Sequence, residues 1–425
     1  MLENTINQGL LKNRNFLLLA QGLGVSNIGN AIQITAVVWY ILSSVDKAHS
    51  GFILSLYSLC LLVPIIITGP VAGVYVDRID RKLIIAGSDL ICGILFLILC
   101  LLTFFNFFPL PSLFIITIMI SFFFSFFNPA VNAVLPCIVH GDDLIRANSI
   151  TQMTTQISFV IGAAVSGLLY HKIGIIGVFF LNGISYMISG ISEIFINIPK
   201  LSKTCKEKTH ILKDLLSGLI YVKNDKPILI LFLYFFLFCF AGRPFSTLLI
   251  PKIINYNLNL NASYFGYFNS SVACGGIIGM LLIAYLSKKK INQYILFISS
   301  SIIYTLIIIS FAIPILPSII ENTSPYNTII LYCIFGFIMM VLTSLIIIPV
   351  YSIFQKRIPN ELLGRFFAIY YTCVLSATPI GSLIFGSLSD VIPEYSVVLI
   401  IGLFLLIIII TLLKFPKLKE LYSSL

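Results

Sequence analysis

Residues 291–315 and 395–415 are two of a dozen stretches in which some twenty or more mostly apolar residues follow one another with scarcely a charge between them. At a rise of about 1.5 Å per residue, a helix of that length crosses the ~30 Å of hydrocarbon in a bilayer. Backbone N–H and C=O groups find no water there, so a spanning chain satisfies them as a helix or as a closed barrel. The runs are continuous, without the alternation of barrel strands, which selects helices. Composition leads to the same place. Hydrophobic residues make up 59% of the 425 and charged residues 10%, too little polar surface to cover a soluble globule of this size.

Runs and breakers together predict spans at 15–42, 51–75, 83–107, 111–136, 149–171 and 174–197, and again at 228–250, 262–286, 291–315, 328–352, 365–388 and 395–415. The expectation is an all-α membrane protein of twelve transmembrane helices in two six-helix bundles, residues 1–198 and 228–425. Residues 199–227 are the one long polar segment and read as a cytoplasmic linker. Within it Leu212, Leu215, Leu216, Leu219 and Ile220 fall at helical spacing, the pattern of an amphipathic helix lying on the membrane interface. The first apolar run follows Lys12 and Arg14 and has no small-residue cleavage site, so it reads as a signal anchor.

The net charge of +10 raises the question of an acidic partner, and the distribution of the basic residues answers it. With the N-terminus assigned to the cytoplasm, only Lys47, Lys172, Lys252 and Arg243 of the 26 lysines and arginines fall outside cytoplasmic segments. Arg243 is placed inside span seven and the other three on the opposite face. That asymmetry is the positive-inside pattern, with both termini cytoplasmic and the chain in the cell membrane. The basic character is therefore topology, and nucleic acid is excluded as a partner.

Eight of the nine cysteines lie in or beside apolar runs and Cys205 in the linker, so no disulfide framework is expected. His49, His140, His171 and His210 sit in separate connections without ligand spacing, so no metal site is expected. There is no GxxxxGK[ST] phosphate loop, and no other cofactor is implied. His140, Asp142 and Asp143 cluster on one loop but lack a nucleophile at a catalytic spacing, which argues against an enzyme.

An internal repeat underlies the two halves. Pro129, Asp143, Leu144, Arg146, Ile161, Gly162 and Gly167 correspond to Pro349, Glu361, Leu362, Arg365, Ile380, Gly381 and Gly386, at an offset of about 219. Duplicated bundles related by an axis along the membrane normal, with a substrate path between them, are an architecture of secondary transporters.

Between spans two and three the chain reads Gly73-Val-Tyr-Val-Asp77-Arg78-Ile79-Asp80-Arg81-Lys82. This resembles the GxxxDRxGRR/K signature of the major facilitator superfamily, with Asp80 where the general pattern has glycine. The DRxDR/K form is similar to the branch containing macrolide efflux proteins and the enterobactin exporter. So are Asn13-Arg14-Asn15-Phe16, Asn128-Pro129-Ala130, Leu135-Pro136, Ala147-Asn148-Ser149 and Leu363-Gly364-Arg365. The resemblance implies the major facilitator fold and export of amphipathic small molecules by alternating access, driven by protons or another coupling ion, from a monomer. It also implies a conformational latch of Gly73, Asp77, Arg78, Asp80, Arg81, Lys82 and Arg365, in which Asp77 docks on the start of span eleven. A siderophore exporter, an importer and a lysolipid flippase share the fold and stay open as alternatives. Two family features are missing. Span four has no arginine of the kind many proton-driven antiporters carry, and Gly162-Ala163 stands where drug antiporters have Gly-Pro.

Polar side chains inside spans are costly and normally face the bundle interior or a wet cavity. Asn27, Asn30 and Gln33 step along span one, Asn128 and Asn132 pair on span four, and Gln152 and Gln156 line span five. Of these, Asn30, Gln33, Asn128, Asn132, Gln152 and Gln156, with Arg243 beside Gly242 and Pro244, are the expected lining of a substrate cavity. Interhelical hydrogen bonding is the other role open to each neutral residue. Asn30 stands where relatives often have aspartate, which leaves Asp89 and Glu193 as candidate proton carriers, or a different form of coupling.

Overall fold

The computed structural model describes residues 10–76, 79–139, 143–198, 222–286 and 292–415, with single positions 220, 289 and 418. Eleven helices among them are long and apolar enough to span a bilayer. They are α1 (Arg14–Ser44), α2 (Lys47–Val76), α3 (Arg81–Phe104), α4 (Pro109–Ile138) and α5 (Asp143–Ile194). Next come α6 (Lys226–Asn257), α7 (Ala262–Leu286), α8 (Gln293–Ser310), α9 (Pro325–Arg357), α10 (Asn360–Val391) and α11 (Glu394–Leu413). No strand occurs among the described residues.

The helix starts follow local chemistry. Asn13 Oδ1 accepts the amides of Asn15 and Phe16 at 3.1 and 3.2 Å, Asp80 caps α3, Asp225 caps α6 and Asn292 caps α8. Pro109 and Pro325 open α4 and α9, where a missing N–H costs no helical bond. Predicted spans five and six are one helix, α5, broken at Gly174, whose φ of 64° and ψ of −174° only glycine adopts without strain. The limbs on either side, residues 143–173 and 175–194, account for twelve predicted spans appearing as eleven helices.

Span seven departs from the prediction. It does not end near residue 250; it runs past Pro244 and continues through π-helical turns at Phe245–Leu249 and Ile253–Asn257. A proline inside a helix lacks the donor for its own bond and crowds the carbonyl four residues back, and wider turns absorb both defects. Lys252, assigned from sequence to an external loop, consequently lies inside the helix.

The chain forms two compact units, the first comprising Met1–Tyr40 and Leu59–Lys206, the second Ile41–Ser58 and Glu207–Leu425. In the first, α3 packs against α4 and the second limb of α5. In the second, α7 packs against α9, α6 against α10, and α8 against α9 and α11. The repeat is visible in the packing. A Cβ at Gly162 would lie 2.5 Å from the Ala31 Cβ of α1, and one at Gly381 would collide with the Phe240 carbonyl of α6. Each unit thus seats its fifth span on its first through a glycine, the small-residue contact that lets helices approach in lipid. Large apolar side chains such as Ile67, Leu83, Phe104, Ile295 and Ile407 are exposed, a surface suited to lipid. The predicted linker helix falls outside the described residues except at its end, where Ile220 is helical and exposed.

Candidate functional site

In the first unit the polar residues of α1 turn inward onto the second limb of α5. Asn182 Nδ2 donates to Gln33 Oε1 at 2.8 Å, both residues being buried, and the Tyr186 hydroxyl donates to Asn30 Oδ1 at 2.9 Å. Asn27 Nδ2 bonds back to the Leu23 carbonyl of its own helix. Asn30 and Gln33 therefore hold two helices of this unit together. The other expected lining residues differ: Asn128 and Asn132 on α4, and Gln152 and Gln156 on α5, are all exposed, each pair one turn apart. They present amide groups for hydrogen bonding without net charge.

Asp89 on α3 and Glu193 on α5 are 2% and 1% exposed, and both carboxyls approach the Ser189 hydroxyl. Their spacing of about one hundred residues hides this meeting from the sequence. Glu193 stays buried although it lies at the end of α5.

In the second unit Arg243 is exposed on α6, with its guanidinium reaching the Cys239 thiol one turn back. Close by in this unit, an aromatic cluster joins α6, α9 and α10. Tyr351 stacks on Phe367 at 5.7 Å and meets Tyr370 edge-on at 5.6 Å, and Tyr370 contacts Phe232, Phe235, Phe354 and Phe366. Tyr371, next to Tyr370, is exposed. These rings went unremarked in the sequence, although Phe366, Phe367, Tyr370 and Tyr371 repeat at the helical spacing of four.

Sequence reasoning also missed a buried charge network. Lys252, 0% exposed, donates from Nζ to Asp390 Oδ1 at 2.6 Å and to the Ser389 carbonyl and Oγ at 2.7 and 3.0 Å. Asp390 in turn accepts the Gly51 amide at 2.9 Å and the Phe52 amide at 2.8 Å, in the second turn of α2. At the start of α11, Glu394 pairs with Lys47 at 3.1 Å and accepts from Asn257 Nδ2 at 3.3 Å. Both carboxylate oxygens of Asp390 thus accept hydrogen bonds, which favours persistence of a buried ion pair.

Of the expected latch, Asp77 and Arg78 lie outside the described residues, as do the side chains of Gly73 and Arg365. Asp80 is exposed and accepts the Lys82 amide as the cap of α3. Arg81 turns into its own unit, donating from Nη1 to the Ala133 carbonyl at 3.0 Å and to Cys137 Sγ at 3.2 Å near the end of α4. The Asn13-Arg14-Asn15-Phe16 segment has a comparable local task. Asn13 ties α1 to the Ile138 carbonyl at 2.8 Å, and Asn15 exchanges two bonds with the backbone of Asn197.

Two units of apolar helices, with buried polar contacts inside each and apolar side chains outside, define a multi-pass membrane protein. A family model described as Major Facilitator Superfamily matches residues 19–382. Macrolide efflux protein A of Streptococcus pyogenes is 27% identical over 384 residues, 88% of this chain and 89% of that protein. Enterobactin exporter EntS of Escherichia coli O1:K1 / APEC is 26% identical over 357 residues, covering 82% and 81%. The crystal structure of nucleoside transporter NupG superposes with a TM-score of 0.72 at 12% identity, covering 94% of this chain and 98% of that one. The chain belongs to the Major Facilitator Superfamily.

Proposed function

We propose that the protein exports amphipathic, macrolide-like small molecules across the cytoplasmic membrane by alternating access, with an ion gradient as the energy source. The observation that carries this reading is the likeness to macrolide efflux protein A over 88% of the chain. The side chains available to a solute agree with it. Asn128, Asn132, Gln152 and Gln156 offer neutral hydrogen-bonding groups and Tyr371 an exposed ring, a combination suited to a large solute with both polar and apolar faces. The positive-inside distribution supports cytoplasmic termini.

Macrolide accumulation in a drug-sensitive host, with and without expression of the protein, tests the reading. Lower accumulation on expression is expected, and higher accumulation overturns export. A second reading, siderophore export, is favoured by the exposed cation Arg243 together with the 26% identity to the enterobactin exporter. A catecholate or carboxylate solute would find its counter-charge there.

A further inference from the structure

Asp89, Ser189 and Glu193 meet inside the first unit, where α3, α1 and the second limb of α5 cross. Four oxygens there, Asp89 Oδ2, Ser189 Oγ and both Glu193 carboxyl oxygens, are buried and have no hydrogen-bond partner among the described residues. Neither carboxyl interacts with a lysine or arginine among those residues; the titratable groups facing the pair are Cys92 on α3 and Tyr186 on α5. The Tyr186 hydroxyl already donates its hydrogen bond to Asn30 Oδ1. From α1 Gly22 faces the pair: a Cβ on it would stand 2.8 Å from Ser189 Oγ and 3.3 Å from Glu193 Oε1.

Two ionised carboxylates in such a place would leave two negative charges facing each other without water or counter-charge, an arrangement that proteins avoid at large cost. The Ser189 hydroxyl supplies one donor for several lone pairs. The charge of the site is therefore balanced only by a cation brought from outside, and the space among these oxygens is closed by packed helices.

We propose that Asp89 and Glu193 form a single proton-binding site, one proton being shared between the two carboxyls while Ser189 donates to the oxygen left charged. This deepens the ion-driven reading above and rests on it for its purpose: the shared proton is the coupling ion. Release returns that proton to water once the helices around the site part and water reaches both carboxylates, and loading restores it before the site closes again. A shared site differs from two independent carriers in its response to substitution, because removing one carboxyl changes the affinity of the other.

Infrared difference spectroscopy of the purified full-length protein, titrated with acid and base in H2O and in D2O, reads the protonated carboxyl directly. The wild type is expected to show a deuterium-sensitive carboxyl band titrating with one apparent midpoint. Asp89→Asn and Glu193→Gln are each expected to move that midpoint by more than tenfold in proton concentration, and the double variant to abolish the band. Bands that each variant removes singly, with the remaining one titrating as in the wild type, would overturn the shared site. So would loss of the band on adding sodium at constant pH, which would make this a sodium site. The wild-type isotope shift needs no variant, so poor folding of either substitution leaves the proposal testable. A shared titration in a protein whose drug export survives a protonophore would uphold the site and overturn the proton-driven reading.

Discussion

At the scale of single residues, Lys252 and Arg243 show how differently a membrane-embedded cation behaves when buried against a carboxylate and when exposed beside a thiol. Lys252 is buried against Asp390, and removing one member of such a pair strands the other. Lys252→Met is expected to cost about 3–5 kcal/mol of stability. Asp390→Asn is expected to cost a similar amount, and the double variant less than the sum, read from unfolding midpoints in detergent. Arg243 has an exposed head, so Arg243→Ala is expected to leave stability within about 0.5 kcal/mol while changing selectivity. Transport of an anionic catecholate should fall several-fold more than transport of a neutral macrolide, measured in the same vesicles. Equal loss of both would remove the argument for an anionic substrate. Neither residue's setting was legible in the chain. Hydropathy treats a lysine as the edge of a span, and the partner that allows Lys252 to stay inside lies 138 positions away. For Asp89 and Glu193 the residue types were legible and the meeting at Ser189 was not, since that depends on which faces of two distant helices touch.

At the scale of elements, the apolar runs gave the helices because length and hydrophobicity decide them with little help from tertiary contacts. The irregularities needed the structure. The π-helical turns after Pro244 extend α6 to Asn257 and carry Lys252 into the helix, an outcome that depends on packing around the proline. The inward turn of Gln33 depends on Asn182, in another span. Gly162 and Gly381, singled out from the repeat, prove to be points where two helices touch closely. Substituting either with leucine is expected to lower stability by about 1–3 kcal/mol or more, the range for overpacking a tight contact. Alanine at Gly381 should already be harmful, because its Cβ would meet a backbone carbonyl that cannot rotate away. Thermal midpoints of the four variants, Gly162→Ala, Gly162→Leu, Gly381→Ala and Gly381→Leu, check the order.

At the scale of the whole molecule, membrane residence and the repeated architecture were legible from composition and from matching loop residues, and the family from the segment around Asp77 and Arg81. Substrate chemistry was less so, because the exposed amides of α4 and α5 and the rings of α9 and α10 acquire meaning only once their faces are known. The placement of the α1–α2 corner has one more consequence. Residues 41–58 are covalently part of the first half yet group with the second unit, where Gly51 and Phe52 serve Asp390, and Lys47 serves Glu394. A gene divided within the linker would thus encode fragments that do not match the molecule's own seams. Residues 207–425 made alone would retain Asp390 and Glu394 stripped of those donors, and should be degraded or aggregate. Supplying residues 1–206 from a second gene should rescue their accumulation in the membrane, and a first fragment carrying prolines at positions 51 and 52, which lack the donating N–H, should fail to do so.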